Sequence, residues 1–432
     1  MPNALVIGEQ VSGATLRTSA ADARLALLVL IPVALFNQVD RTILSILQVP
    51  IKRDLGLSDT QLGALTGLAF ALVYCSLTIP VSRLADRMVR KFVMAAALVL
   101  WCAMTALSGL AMTFLTLALL RMGVALGESC CSPTTLSMLS DYYPRQHRGL
   151  AIAMWGSAVP LGAMVALLGG GWLTSSLGWR QTFLYVGLAG LLLAPAVLAL
   201  KEPPRGQFDG PMSYKDPPPS MRQALGALWR LKSMRYLMVA GALQAFVLCS
   251  IQFWSAPFYS RVFRMPLGQV GLALAILFGL GGGVGALAGG FLVDRMGAKD
   301  VRWYGWLPAA ASLIMIPLGL GQFLVRLPLL SLSLGFFAYL LVSLYLGPIN
   351  AATQSLVRPN MRAFTSAMLL VFSNLIGTGL GPFITGAVSD LLVSHGFGDQ
   401  SLRLALSASL LVGVGAAGAF FGAAVHLRRE LR

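Results

Sequence analysis

The sequence predicts an all-α membrane protein with twelve transmembrane helices in two pseudo-symmetric bundles of six. Three observations predict this fold class. Of the 432 residues, 57% are hydrophobic and only 11% are charged, a balance foreign to soluble domains of this size. Apolar runs of membrane-spanning length recur along the chain. The pattern LADRM at 84–88 returns as LVDRM at 292–296, which indicates an internal repeat.

Runs of about 20 apolar residues are the signal of a membrane-spanning helix. The chain contains twelve of them. We expect spans at 25–47, 61–82, 92–113, 115–141, 150–174, 182–200, 235–258, 268–293, 303–323, 328–355, 363–391 and 402–427.

A polar, proline-rich segment divides the spans into two groups of six. It begins KEPPRGQFDGPMSYKDPPPS and continues MRQALGALWRLK, where apolar and basic residues alternate at helical spacing. We expect the second part to be an amphipathic helix lying on the membrane surface. The predicted organisation is a first bundle at 1–200, a cytoplasmic linker at 201–233 and a second bundle at 234–432.

Charge distribution predicts the orientation, because cytoplasmic loops of membrane proteins are enriched in Lys and Arg. With both termini inside, most basic residues fall in inner segments. Lys52 and Arg53 run against this trend. The outer loops then hold only Lys52, Arg53, Arg180, Arg261, Arg264, Arg326 and Arg403. We therefore expect a multi-pass protein of the cell membrane with cytoplasmic termini, and the first apolar run is better read as a permanent span than as a cleaved signal.

Four charged residues lie inside apolar segments: Asp40, Arg41, Arg121 and Glu128. An ionised side chain near the bilayer centre costs roughly 2.5–3.5 kcal/mol on insertion scales. Four of them in two spans indicate a polar cavity. Asp40 and Glu128 are the candidate proton-coupling residues, since carboxylates can take up and release protons, whereas the arginines stay charged.

Helix geometry limits how these four residues meet. Asp40 and Arg41 are consecutive and point about 100° apart, so they cannot share one partner. Arg121 and Glu128 are seven residues apart on one helix face. One arrangement pairs Asp40 with Arg121 and leaves Arg41 free for a substrate anion. The alternative is a structural ion-pair cluster that only fixes helix packing, although such clusters are weak stabilisers.

The second half contributes polar and aromatic residues rather than charges to its spans. A cavity charged on one side and apolar on the other suits an amphiphile, with an anionic head at the arginines. The candidate substrate-binding residues are Arg41, Arg121, Phe253, Trp254 and Asn350. Further candidates for the wall are Gln244, Phe246, Gln252, Phe278, Phe336, Phe337, Tyr339 and Asn374.

The repeated inner-loop pattern resembles that of the major facilitator superfamily, usually written GxLaDrxGrR/K. The copy GGFLVDRMGAKD at 289–300 keeps its glycines, whereas SRLADRMVRK at 82–91 has Ser82 and Val89 where the family often has glycine. The resemblance implies a latch that closes the cytoplasmic side, and the alternative is a solvated loop that only sets topology. The expected gate residues are Asp86, Arg87, Arg90, Arg148, Asp294 and Arg295.

A narrower resemblance is to the spinster family. It rests on four stretches: FNQVDRTIL at 36–44, RMGVALGESCCSP at 121–133, GPINAATQSLVRPNMRA at 347–363 and NLIGTGLGP at 374–382. Ser129 stands where similar proteins often have alanine. The resemblance implies a lysolipid-like or sphingosine-phosphate-like cargo.

These observations predict a secondary active transporter that moves an amphiphilic anion by alternating access, with protons as the coupling ion. The alternative within transport is a proton-coupled exporter of drugs or another organic anion. A receptor or scaffold would not need charges in the cavity. An enzyme, a metal site, a cofactor site and a nucleic-acid partner each lack their residue patterns in the sequence. We expect a monomer in the lipid bilayer.

Spans 2, 5, 8 and 11 are rich in glycine, and the resemblance to the major facilitator superfamily implies that these spans line the seam between the two halves. Small residues let helices approach closely and slide. The alternative is ordinary tight packing within each half. Examples are Gly63 and Gly67, Gly169–Gly171, and Gly377 with Gly379.

Overall fold

A computed structural model describes residues 18–208, 221–358 and 361–431. Within these ranges the chain is helical, without strands, and twelve helices are long and apolar enough to cross a membrane. The predicted all-α, twelve-span fold is confirmed. The spans are Ala20–Leu55, Asp59–Thr78, Arg90–Ser108, Phe114–Tyr142, Gln146–Leu177, Trp179–Ala199, Lys232–Val262, Leu267–Gly297, Trp303–Leu324, Pro328–Ser355, Phe364–Ser394 and Gly398–Glu430.

The turn between spans 1 and 2 shows how local sequence sets the span ends. Span 1 ends at Gly56, whose φ of 62° is the left-handed conformation that glycine adopts without strain. Two residues later Ser58 caps span 2, and Gln61 completes a capping box with it. The short connection therefore reverses the chain at once and places Asp59 at the start of span 2.

The two sides of the molecule differ in how the halves contact each other. We call the side that holds both described ends of the chain the inner side, and the opposite side the far side. Spans 1 and 7, 2 and 11, and 5 and 8 contact across the halves. The inner segments Arg145–Gly156, Gly282–Gly297 and Arg362–Phe372 make their principal contacts within their own half. The described helices are therefore closed on the far side and separated on the inner side.

Glycines bring the backbones together along the far-side seam. A Cβ on Gly63 would lie 2.4 Å from the carbonyl oxygen of Pro382 in span 11. Where spans 5 and 8 meet, a Cβ on Gly171 would lie 2.7 Å from the carbonyl oxygen of Leu267. Real Cβ atoms do not approach carbonyl oxygens so closely, so a larger residue at either position would force the halves apart.

Four of the six spans that contact across the halves depart from regular α-helix within their length. Span 2 has a π-helical turn at Ala64–Leu68, span 8 at Ile276–Gly281 and span 11 at Ser373–Leu380. Span 5 is interrupted at Ser157, between Arg145–Gly156 and Ala158–Leu177. Such interruptions locally weaken the hydrogen-bond ladder and are places where a helix can bend.

The second part of the linker forms a helix, Met221–Arg230, where the sequence predicts one. Ala224 and Leu228 pack against the second half, whereas Leu225 and Trp229 on the adjacent face are exposed. An exposed apolar stripe beside basic residues is typical of a helix that lies in the membrane interface. Residues 209–220 of the predicted linker lie outside the described residues.

The seam predicts a matched pair of substitutions in span 5. Gly171→Ala should destabilise the far-closed conformation by roughly 1–3 kcal/mol, because the new methyl group overpacks the contact with span 8. Gly169→Ala should leave it unchanged, since a Cβ there would meet nothing within 4 Å. The measurement is the distance between spin labels at positions 112 and 397, on far-side loops of the two halves. A distance distribution that Gly171→Ala leaves like that of Gly169→Ala would contradict this account of the seam.

Candidate functional site

Asp40 and Arg121 form a buried ion pair between spans 1 and 4. Arg121 Nη1 donates to Asp40 Oδ1 at 3.1 Å, and Arg121 Nη2 donates to the backbone carbonyl of Asp40 at 3.3 Å. The hydroxyl of Thr105 in span 3 donates to the other carboxylate oxygen. The structure thus has the Asp40–Arg121 pairing that the sequence favoured, and this pair joins spans 1, 3 and 4.

Arg41 does not stand free, as the sequence analysis expected it to. Its Nε donates to Glu128 Oε2 at 2.6 Å. The guanidinium also lies over the rings of Tyr74, 4.5 Å from the centroid, and Phe70, 5.1 Å from the centroid. The expectation was wrong because the arginine side chain is long enough to reach the deeper carboxylate from span 1. Arg41 is therefore a paired cation.

The two pairs differ in their access to solvent. The side chains of Asp40, Arg121 and Glu128 are almost fully buried, whereas that of Arg41 is 23% exposed. Buried charges without partners are strongly destabilising. Each acid therefore stabilises the arginine that it binds, and each arginine stabilises its acid. Glu128 Oε1 and Arg121 Nε have no hydrogen-bond partner among the described residues. Arg41 is therefore the most exposed charge of the cluster.

A cavity of about 170 Å³ lies between the halves beside this cluster. Spans 1, 2 and 4 of the first half line it, and spans 7 and 11 of the second half close it. Its lining residues are Gln38, Arg41, Thr42, Thr66, Phe70, Arg121, Cys249, Gln252, Phe253 and Thr378. At roughly 30 Å³ per water molecule, it has room for a head group rather than for a whole lipid.

The aromatic wall expected from the second half is only partly present. Phe253 lines the cavity. Trp254 does not, because its indole is fully buried in the seam and donates to the carbonyl of Pro382 at 2.9 Å. Asn350 is exposed on span 10, outside this cavity, and its amide donates to the backbone of Leu346. The prediction of Trp254 as a cavity residue was therefore wrong.

The far side is closed by a network around Asp59 that the sequence analysis did not single out. Asp59 accepts hydrogen bonds from Lys52 at 2.5 Å, from Arg261 of span 7 at 2.8 and 3.0 Å, and from Ser389 of span 11 at 2.8 Å. Its side chain is 2% exposed. One carboxylate of the first half thus holds two spans of the second half.

Asp390 adds a second link between the halves. Its carboxylate accepts the backbone amides of Asp59 and Thr60, at 3.0 and 2.7 Å, and the hydroxyl of Thr60 at 2.6 Å. These are free amides at the start of span 2, where the helix dipole favours a negative charge. Span 11 therefore caps span 2 from the opposite half.

The expected inner gate is not engaged across the halves in this conformation. Arg90 is 1% exposed and binds Asp141, Ser137 at 3.0 Å and Glu202 at 2.8 Å, all in the first half or the start of the linker. It therefore stabilises the inner end of the first half here. The expectation that Arg90 bridges the two halves is therefore wrong for this conformation.

The other gate candidates lie at the inner ends of spans 2, 5 and 8. Arg87, Asp294 and Arg295 are exposed, and Arg148 donates to the carbonyl of Ser140 at 2.6 Å. The side chain of Asp86 lies outside the described residues. Since the inner side is open, a latch between these residues stays a prediction for the far-open conformation.

The last residue of the second motif copy, Asp300, has its counter-charge in the same loop. Asp300 accepts side-chain hydrogen bonds from Arg302, and these lower the pKa of Asp300 to about 2. The carboxylate is thus ionised and satisfied locally. It has no need of a partner in the other half.

The chain matches a known protein family over most of its length. The family model of the Major Facilitator Superfamily matches residues 30–382. The chain belongs to this superfamily. It is therefore a multi-pass membrane transporter rather than an enzyme.

The chain is similar in sequence or structure to three characterised members of the superfamily. An MFS-type efflux pump of Mycolicibacterium smegmatis is 36% identical over 88% of this chain and 87% of the pump. A hexuronate transporter of Bacillus subtilis is 24% identical over 83% of this chain and 88% of that protein. The crystal structure of a bacterial homologue of the human lysosomal transporter Spinster, inward-facing and unoccupied, matches with a TM-score of 0.89. It is 28% identical and covers 96% of this chain and 99% of that one. The expected resemblance to spinster proteins is confirmed.

The far-side network predicts the effect of neutralising its central acid. Asp59→Asn keeps the shape but removes the charge that Lys52 and Arg261 bind, so the far-closed conformation should lose roughly 1.5–3 kcal/mol. The far-side label distance between positions 112 and 397 should lengthen. Asp54→Asn is the matched control, because Asp54 binds Arg180 within its own half, at 2.7 Å. Equal distance distributions for the two variants would show that Asp59 does not hold the far side closed.

Proposed function

We propose that this transporter is a secondary active carrier that moves an amphiphilic, lysolipid-like or sphingosine-phosphate-like anion by alternating access, coupled to protons. It acts as a monomer in the cell membrane, with its termini in the cytoplasm. The halves at 1–200 and 234–432 rock against each other, and the linker at 201–233 joins them. The inner side of the structure is then the cytoplasmic side.

The observation that carries the proposal is the Arg41–Glu128 pair. Arg41 lines the cavity and is the most exposed charge of the cluster, and its Nε donates a 2.6 Å hydrogen bond to Glu128. When Glu128 takes up a proton, its negative charge is lost and Arg41 becomes available to an anion. A substrate phosphate or carboxylate then replaces Glu128 as the partner of the guanidinium. Proton and anion are therefore bound together and carried in the same direction.

Asp40 has a supporting part in this scheme. It is bound by Arg121 and Thr105 at once and is almost fully buried. Glu128 has a single described partner and an unpartnered oxygen, Oε1. Fewer hydrogen bonds have to break when Glu128 takes up a proton than when Asp40 does. Glu128 is thus the exchanging acid, and Asp40 keeps Arg121 fixed beside the cavity.

The size of the cavity supports an amphiphilic cargo with its head bound at Arg41. The space of about 170 Å³ accommodates a phosphate or carboxylate head group. Phe70 and Phe253 lie on opposite walls and offer apolar surface next to it. A hydrocarbon tail then extends toward the separated inner segments, where the halves leave room.

A second candidate function is proton-coupled export of drugs or another organic anion. The similarity to an efflux pump favours it. A cationic drug would compete with Arg41 for Glu128, so that proton and drug exclude each other and move in opposite directions. The direction of proton movement during transport therefore separates a cationic drug from an anionic cargo.

Glu128→Gln should uncouple transport from the proton gradient. The amide keeps the shape of the side chain but cannot titrate, and it leaves Arg41 permanently without an anionic partner. In reconstituted vesicles, uptake of a lysophospholipid driven by an imposed pH gradient should be lost, while exchange of labelled for unlabelled lipid persists. Asp40→Asn should impair both, because Arg121 then lacks its buried counter-charge. Full gradient-driven uptake by Glu128→Gln would refute the assignment.

Arg41→Lys and Arg41→Ala test the head-group contact. Lysine keeps the positive charge but loses the planar fork that binds two phosphate oxygens, so transport of a phosphate-bearing lysolipid should fall roughly tenfold. Alanine should abolish it. A monoacylglycerol of the same chain length, which lacks the anion, serves as the competitor. Wild-type transport by Arg41→Ala, or equal competition by the neutral lipid, would disprove a direct contact.

A further inference from the structure

The far side carries a vestibule that the transport scheme above has not used. It encloses about 930 Å³ between spans 1, 7 and 8 and the loops beside them. Its charged walls are Arg53, Arg261 and Arg264, with Asp54 and Asp399 on the acidic side. Asp54 is already bound by Arg180 at 2.7 Å and by the indole nitrogen of Trp179 at 3.2 Å. The vestibule thus presents more cationic than free anionic groups.

Two of the three arginines have no ion-pair partner within the described ranges 18–208, 221–358 and 361–431: Arg53 and Arg264 are exposed and unpaired there. Arg264 also has a φ of 54°, a backbone conformation that residues other than glycine rarely adopt. Arg53 is one of the basic residues that stand against the positive-inside rule. The positive-inside rule therefore does not account for Arg53, and it does not account for Arg264 in its unfavourable backbone conformation.

The third arginine connects the vestibule to the gate. Arg261 Nη1 donates to both carboxylate oxygens of Asp59, whereas Arg261 Nη2 is buried and has no partner among the described residues. The same side chain lines the vestibule. An anion that binds Arg261 from the vestibule would compete with Asp59 for this guanidinium and weaken the contact that closes the far side.

We propose that the far vestibule is an anion-binding site for a phosphate-bearing head group, and that its occupation favours opening of the far-side gate through Arg261. The site attracts the anion to the closed mouth of the transporter, since its three arginines outnumber its two carboxylates. Arginine forks supply paired hydrogen bonds to phosphate oxygens. The choice of a phosphate rests on the proposed function, but the binding itself does not require transport.

The test uses the full-length protein in nanodiscs of phosphatidylcholine, with sn-glycerol 3-phosphate as the probe and glycerol as its neutral counterpart. Calorimetric titration measures binding, and the spin-label distance between positions 112 and 397 measures the gate. Wild-type protein should bind the phosphate and not glycerol, binding should weaken with added salt, and the far-side distance should lengthen as the probe is added.

Two double variants provide the matched comparison. Arg53→Gln with Arg264→Gln should weaken binding at least tenfold and move the distance response to correspondingly higher concentration. Arg326→Gln with Arg403→Gln removes the same charge from the far side outside the vestibule and should change neither. Size-exclusion profiles of both variants check that each is folded.

The outcomes separate the claims. Absence of binding to wild type, or equal loss in the two double variants, overturns the site. Binding with an unchanged distance overturns the coupling to the gate. Binding that persists while Arg41→Ala transports phosphorylated lipid normally leaves the vestibule standing and overturns the proposed function instead.

Discussion

An ionised side chain inside a membrane must find an opposite charge, and the arrangement of this transporter depends on that constraint. Two pairs, Asp40–Arg121 and Arg41–Glu128, lie within the first half. A third set of contacts, around Asp59, joins the halves at the far side. The pairs within one half can persist while the halves move, whereas the pairs across the halves must break. The charges therefore separate into a candidate binding site within the first half and a set of contacts that holds the two halves together.

The sequence predicted the architecture and the buried charges because both are strong local signals. Apolar length gives the spans, and a charge in an apolar run stands out wherever it occurs. The partners were harder to foresee. Arg41 reaches Glu128 because its long side chain crosses from span 1 to span 4, a contact that no sequence pattern encodes. Asp59 appears in the sequence as an ordinary acid at a helix start. The sequence likewise predicted Trp254 as an aromatic residue of the cavity. In the structure it lies between the halves, against Pro382. The capping serine before Asp59 was the available signal, but it indicates a helix end and not a contact between halves.

Close packing and ion pairing support the same conformation at the far side. The carbonyl oxygens of Pro382 and Leu267 approach glycines of the opposite half, next to the carboxylates that cap and pair across it. Opening this side loses van der Waals contacts and charge-assisted hydrogen bonds together. New contacts on the inner side have to replace them for the two conformations to be of similar free energy. The two motif copies, at the inner ends of spans 2 and 8, carry the charged groups that we expect to form such contacts.

In the proposed scheme, the Arg41–Glu128 pair also makes half-loaded states unfavourable. With a proton bound but no anion, Arg41 would face the cavity as a cation without a partner. With an anion bound but no proton, the substrate would lie beside the charge of Glu128, which is fully buried and cannot be screened by water. Each state leaves one uncompensated charge in a poorly solvated place, and such a charge is costly to carry through a closed intermediate. The empty pair and the fully loaded site are both neutral in this respect. Movement of the halves is thus cheapest with both proton and anion or with neither, which is the condition for tight coupling.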